Sequence, residues 1–314
     1  MLSLAASGCV TVHGELAVLP AVQRSEAAKA LAQFTDAYNA ADKAYDPALD
    51  ANRVTGALGA INQAGLKARS ITSPDGNAGH QDLELTDPVF TIPKKAGWPR
   101  WFVAVADSNR DRDSGPGDNS WVLVFLRHSV SEPWQAAYLT ILSPDEIPKF
   151  KTDKDGWAQP VPADSTATTV PPKELSGQYA SYLKSGQPDT FAKGPHTDGW
   201  RADRAKDARL PGLTTQYIDQ PVTGGDFEPL GLATEDGGAL VFLTTRFFER
   251  QTAAKGYRPK VSADVAALMT GEVTNTVTQE SVSSAAVYVP KRGADPSQVI
   301  VAGRLQGITG AKGS

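Results

Sequence analysis

The residues best spaced for chemistry are acidic. Asp107-Ser-Asn-Arg-Asp111-Arg-Asp113 puts oxygen side chains at alternate positions, the spacing by which a loop turns several carboxylates onto Ca²⁺. The sixth position is Arg112 where a calcium loop needs glycine, and Asp118 stands where a bidentate glutamate belongs, so the stretch reads as a solvated hairpin loop. His13, His80, His128 and His196 are scattered, and none lies three or four residues from another, so a zinc site has no local framework. Local signatures of acyl transfer, metalloproteolysis, phosphate loops and dinucleotide binding are missing as well. No metal or cofactor is expected, and no catalytic residue can be named. Trp98-Pro-Arg100-Trp101 is an aromatic–cation cluster that could hold a sugar face, a peptide or an anionic headgroup. Its competing use is structural, since Trp121 and Trp134 also stand near expected strand starts.

Cys9 is the sole cysteine, and it directly follows Leu4-Ala5-Ala6-Ser7-Gly8, a run resembling a bacterial lipobox. In such a motif the thiol is alkylated with diacylglycerol and the cysteine becomes the new N-terminus. Cys9 is therefore the candidate lipidation site, and the lipid bilayer is a partner reached through it. Only eight residues precede it and none is basic, so either residues 1–9 are the end of a longer signal, with 10–24 as a tether, or the match is accidental and Cys9 is a free thiol in a disordered tail; the first is the expected case. With one cysteine the chain forms no internal disulfide.

These features need a scaffold. Ser25 can cap a helix reaching Tyr45, along which Leu31, Phe34, Tyr38 and Tyr45 form one apolar stripe before Pro47. A second helix is expected around Ala51–Gln63. Four β-rich runs follow, at Leu83–Ile92, Trp101–Ala106, Trp121–Arg127 and Trp134–Leu142. The proline-rich stretch 160–172 cannot build a core and is expected to be a linker. Beyond it come a helix at Glu174–Lys184 and strands at Phe227–Thr234, Ala239–Gln251, Val273–Val289 (broken near Ser283–Ser284) and Val299–Ile308. The fold class is thus α+β, with two domains, 25–159 and 173–314, each with N-terminal helices packed on a curved antiparallel sheet. The net charge of −4, without clustered lysine and arginine along the sequence, argues against nucleic acid.

Helices leading into a curved sheet resemble the cone-shaped nuclear-transport-factor-2-like and cystatin-like folds, in element order and length. At the mouth of such a cone Tyr38, Asp42, Arg53 and Trp101 would be the ligand-binding candidates. The chain also resembles a family of uncharacterised lipoproteins of high-GC Gram-positive bacteria. The carrying segments are YNAADKAYDPALDANRVTGALGAINQAGLKAR from Tyr38, LTDPVFTIPKKAGWPRWF from Leu85, EPWQAAYLTILSPDE from Glu132 and AAKGYRPKVSADVAALMTGEV from Ala253. This resemblance implies an exported, lipid-anchored protein. The expected role is a binding or scaffolding module for a cell-envelope ligand or protein. The alternative is an enzyme with an Asp or His general base in the cone pocket; a carboxylate–histidine pair inside an apolar cavity would favour it.

Overall fold

In the computed structural model, which describes residues 17–112, 114, 115 and 117–314, a short strand β1 (Val18–Pro20) leads into helix α1 (Arg24–Ala44). The expected stripe is the buried face of α1: Ala27, Ala30, Leu31 and Phe34 are enclosed and Tyr38 is half-buried. Ser25 is not the cap. The helix starts a residue earlier behind Gln23, without a side-chain cap, and Glu26 places a carboxylate in its positive first turn. It stops at Tyr45, whose φ of 52° is left-handed, just before Pro47. Helix α2 (Gly56–Thr72) extends beyond Gln63, because Leu58, Leu66 and Ala68 continue its buried face.

The strands β2 (Leu85–Thr91), β3 (Lys94–Ala96), β4 (Arg100–Ser108), β5 (Ser120–Arg127) and β6 (Gln135–Leu142) follow. β2-β4-β5-β6 form an antiparallel sheet, and β3 pairs with β1 as a separate ribbon. The second half contains β7 (Pro160–Val161), α3 (Pro172–Ser185), α4 (Trp200–Asp207), β8 (Arg209–Leu210), β9 (Leu213–Val222), β10 (Leu230–Ala233), β11 (Ala239–Ala253), α5 (Ala263–Ala267), β12 (Met269–Thr270), β13 (Thr276–Val289) and β14 (Ile300–Gly313). These strands build one sheet in the order β12-β14-β13-β11-β10-β7, with β9 also pairing with β11 and β8 with β9. All ladders in it are antiparallel except β12–β14. The class is α+β, with helices on a mainly antiparallel sheet in each half.

Two expectations are corrected. β13 is not broken at its serines: Ser283 and Ser284 pair in register with Thr245 and Thr244, and the Ser283 and Thr245 hydroxyls bond to each other at 2.7 Å. The proline-rich stretch is not a free linker either. Pro160 and Val161 pair with Leu232 and Gly231 at the sheet edge, Thr168 bridges to Lys291, Val170 is buried, and Pro172 starts α3. Proline lacks an N–H, but an edge strand and a first helical turn do not need one.

The first sheet is covered on both faces. Phe102, Ala104, Leu123 and Phe125 meet α1, whereas Trp101, Val103, Val122 and Val124 share a cluster with Leu232, Leu240, Phe242 and Ala286 of the second sheet. A third cluster packs α3 on the outer face of the second sheet. Two glycines set the separation on β14: a Cβ at Gly303 would come 2.4 Å from Leu142 Cδ2, and one at Gly307 would come 2.6 Å from Ile61 Cγ2.

Phe34 lies edge-on to Phe125 at 5.9 Å, and Phe125 stacks on Phe102 at 4.9 Å. Phe34→Ala should lower stability by about 3–5 kcal/mol through lost transfer energy and a cavity. Lys29→Ala, on the exposed side of α1, should shift it by less than about 0.5 kcal/mol. Equal thermal melts for the two variants would show that α1 does not pack by this stripe.

Candidate functional site

A cleft of about 530 Å³ lies at the seam between the halves, walled by α1, α2, β5 and β6 on one side and by α5 and β14 on the other. Its walls are mainly apolar: Leu58, Ile61, Trp121, Leu139, Ile141, Val265, Leu268, Leu305 and Ile308. The polar groups are few: Tyr38, Asn62, Arg69, Ser262, Asp264 and Gln306. An apolar body with a few convergent polar groups is the usual constitution of a small-molecule site.

Each polar group is held by its element. Tyr38 continues the buried stripe of α1, and its ring meets Trp121 edge-on at 6.1 Å. Burial and the nearby Asp42 carboxylate push its phenol above the ordinary range, Arg110 and Arg69 pulling the other way, so the hydroxyl stays neutral at physiological pH. Asn62 interrupts the Leu58–Leu66 row of α2 and bonds through its amide to the buried carboxylate of Asp50. Gln63 donates to the other oxygen of Asp50 at 2.6 Å. Burial raises the Asp50 carboxyl pKa, and the two amides oppose that rise. Arg69 lies one turn beyond Gly65, where a Cβ would stand 3.4 Å from the guanidinium. Its guanidinium covers the Tyr45 ring at 5.2 Å, Nε is buried without a hydrogen-bond partner, and it forms no ion pair among the described residues. Asp264, exposed at the rim, accepts the Thr72 hydroxyl at 2.9 Å and ties α5 to α2.

The four residues expected at a cone mouth do not converge. Tyr38 alone of them lines the cleft. Asp42 faces the loop after α2, accepting from Asn77 at 3.0 Å and pairing with His80 Nδ1 at 2.8 Å. Arg53 is in a shallow surface depression with Lys29, Arg127 and Trp134. Trp101 is buried between the sheets, because the face it occupies is covered by the second half of the chain. Cys9 and His13 lie outside the described residues. Arg69, Asn62 and the whole α5–β14 wall went unnoticed in the sequence; the one available signal was Asn62, a polar residue in an otherwise apolar helical row.

Neither carboxylate–histidine pair is in the cleft. His80 is clamped between Asp42 and Asp82, while His128 Nε2 meets Asp226 at 2.6 Å, with the Thr55 hydroxyl on the other Asp226 oxygen; Asp226 and Thr55 line an open groove. In that set the carboxylate is the central member, so no imidazole stands between it and a hydroxyl, as a base-activated nucleophile would require. Asp107, Asp111 and Asp118 bring one oxygen each within 4.8 Å of one another, the one such grouping among the described residues. Asp111 is already occupied by the Asn119 N–H at 2.6 Å and the Ser108 hydroxyl at 3.3 Å.

The architecture has relatives. A family model described as domain of unknown function DUF8094 matches residues 18–313, and the chain belongs to that family. The chain is similar to "Uncharacterized lipoprotein SCO2278" of Streptomyces coelicolor, 56% identical over all of this chain and 92% of the relative. It is 53% identical to an "Uncharacterized lipoprotein" of Streptomyces avermitilis, over 99% of this chain and 92% of the relative. A second S. coelicolor protein, "Uncharacterized lipoprotein SCO6871", is 23% identical over 69% of this chain and 61% of its own length. No solved structure matches significantly. Among the described residues no helix is long and apolar enough to cross a membrane.

The His80 clamp has a defined pH response. Its hydrogen bond to Asp42, then that to Asp82, holds the imidazole pKa above the ordinary 6.5. A pKa raised on folding stabilises fully below the unfolded value and loses that contribution as pH rises through the folded one. Melting temperature should therefore fall from about pH 6.5 upward, and His80→Gln should flatten that fall. An NMR titration placing the His80 midpoint at or below 6.5 would overturn this.

Proposed function

We propose that the protein is an extracytoplasmic lipoprotein, anchored through diacylglycerol on Cys9, that binds a small amphipathic ligand in the seam cleft. The observation that carries the binding role is the pairing of a roomy apolar cavity with one unpaired cation, Arg69, at its polar side. An acidic ligand headgroup would complete the hydrogen bonds that Arg69 leaves unmade, assisted by the neutral Tyr38 hydroxyl and the Asn62 amide. The apolar walls would take the remainder of the ligand. Binding is favoured over general-base catalysis because both described carboxylate–histidine pairs stand outside this cavity.

A fluorescent anionic amphiphile, anilinonaphthalene sulfonate, is a suitable probe. Arg69→Gln should weaken its binding about tenfold, equivalent to ~1.4 kcal/mol, the scale of one charge-assisted hydrogen bond. Leu268→Trp, which fills the cleft from α5, should abolish binding while leaving the melting temperature within a few degrees. Affinities equal to wild type in both variants would refute the cleft as the site.

The anchor is tested separately. A diacylglycerol brings two acyl chains at about 0.8 kcal/mol per buried methylene, enough for stable attachment. Expressed with a functional export signal, the protein should fractionate with membranes and Cys9→Ser should be released; a Cys9→Ser protein that stays in the detergent-extractable membrane fraction would disprove lipidation at this residue.

A further inference from the structure

One corner of the molecule combines exposed apolar residues with unbalanced positive charge. Val18 is 62% exposed and Leu19 50%, both on β1, which pairs with Lys95 and Ala96 of β3. Trp98, two residues past β3, is 41% exposed, and Val130, in the turn between β5 and β6, is 77% exposed. Single exposed apolar residues are ordinary, but these are linked into one patch. Arg100 covers the Trp98 ring at 4.9 Å and reaches the Pro20 carbonyl at 3.4 Å. Arg127 covers the same ring at 5.7 Å and donates to the Val130 carbonyl. Lys29 and Arg53 join Arg127 in the adjoining depression, where the carboxylates are Glu26 and Glu132. Four cations thus face two acids, on a chain whose net charge is −4.

We propose that this corner rests on the anionic bilayer surface to which the chain is tethered. The inference depends on lipidation of Cys9. Eight residues lie between Cys9 and Val18, and the nine steps at 3.3–3.6 Å each span at most about 32 Å. β1 is therefore the described element held nearest the lipid. What it presents there suits an interface: a tryptophan and aliphatic side chains to enter the headgroup region, and Lys29 and Arg53 to meet phosphates, while Arg127 is turned inward onto Glu26 and the Ser129 and Val130 carbonyls and holds the patch together. The excess cations match the negative potential of anionic lipids, which decays over about a Debye length and so acts on a face held close. The far end is set by α1, whose 21 residues extend about 30 Å and whose last turn adjoins Asn77 through the Lys43 carbonyl at 2.9 Å.

The test uses the full-length lipidated protein in vesicles of phosphatidylglycerol and phosphatidylcholine. Because Cys9 is the sole cysteine and is blocked by lipid, Val130→Cys or Asp75→Cys introduces one free thiol for an environment-sensitive fluorophore. Docking predicts a blue-shifted emission at position 130 that headgroup nitroxide lipids quench, and a water-like, unquenched emission at exposed Asp75, in the loop beside the C-terminal end of α1. Lys29→Glu with Arg53→Glu should reduce the quenching at position 130 at least severalfold without changing co-flotation. If the protein floats with vesicles but the two probes behave alike, the docking surface is wrong and the anchor stands. If it does not float, anchor and docking both fail. Quenching at position 130 that survives the charge reversal unchanged would also overturn the proposal, because the cations would then contribute nothing.

Discussion

The constraint on which the structure depends is the double burial of the β2-β4-β5-β6 sheet. Residues Trp101–Ala104 and Val122–Leu126 are enclosed on both sides, one face by α1 and the other by β10, β11 and β13. Apolar area removed from water contributes about 25 cal/mol per Å², so a sheet of aromatic and β-branched side chains left bare on one face would forfeit much of its stability. Tyr138 shows how the layers lock. Its ring meets Phe242 of the second sheet at 6.2 Å, and its hydroxyl donates to the Glu228 carbonyl at 2.8 Å, satisfying the polar end of a buried aromatic residue.

The cleft is a by-product of how that stacking ends. Flat sheets would close along their whole length, but β14 approaches the first half most tightly where glycine permits, at Gly303 over Leu142 and Gly307 over Ile61, with Leu305 packed on the first core between them. Beyond these contacts α5 leans on α2 through Thr72 and Asp264 instead of filling the seam. The Asn62–Asp50–Gln63 group then lies at its edge at a cost in desolvation that hydrogen bonds offset. Polar atoms retained beside an apolar cavity are what orient a ligand, and Arg69 is the one cation among those lining this cleft.

Much of the fold was legible because the signals were local. The α1 stripe of Leu31, Phe34 and Tyr38, and the runs Trp121–Arg127 and Ala239–Gln251, follow from periodicity and β-branched content. β9 went unread because LTTQYIDQPV is polar on one side and carries a proline, as an outer strand allows. The linker misreading has the same root: proline composition forbids a central strand but not an edge strand, and only the partner β10 decides which occurs. The site was nearly illegible. Asp42 and Trp101 have the right chemistry for binding, but their placement depends on which face of the first sheet the second half covers, a non-local choice with no periodic trace. The Cys9 reading, by contrast, is an expectation that rests on a linear pattern and does not depend on the fold.

The anchor and the cleft impose conditions on each other. If Cys9 carries the lipid, a tether spanning at most about 32 Å would keep β1 near it, whereas Arg69, the cation of the cleft, is in the last turn of α2 beside the C-terminal end of α1. α1 therefore runs between the two features, with Glu26 paired to Arg127 near one end and Tyr38 lining the cleft toward the other. A ligand of the envelope space would meet the cleft about a helix length from the lipid, clear of the headgroups. On that reading the basic corner would engage phosphates without competing with Arg69 for the same anion, and the packing of α1 through Phe34 on Phe125 would fix the distance between attachment and binding.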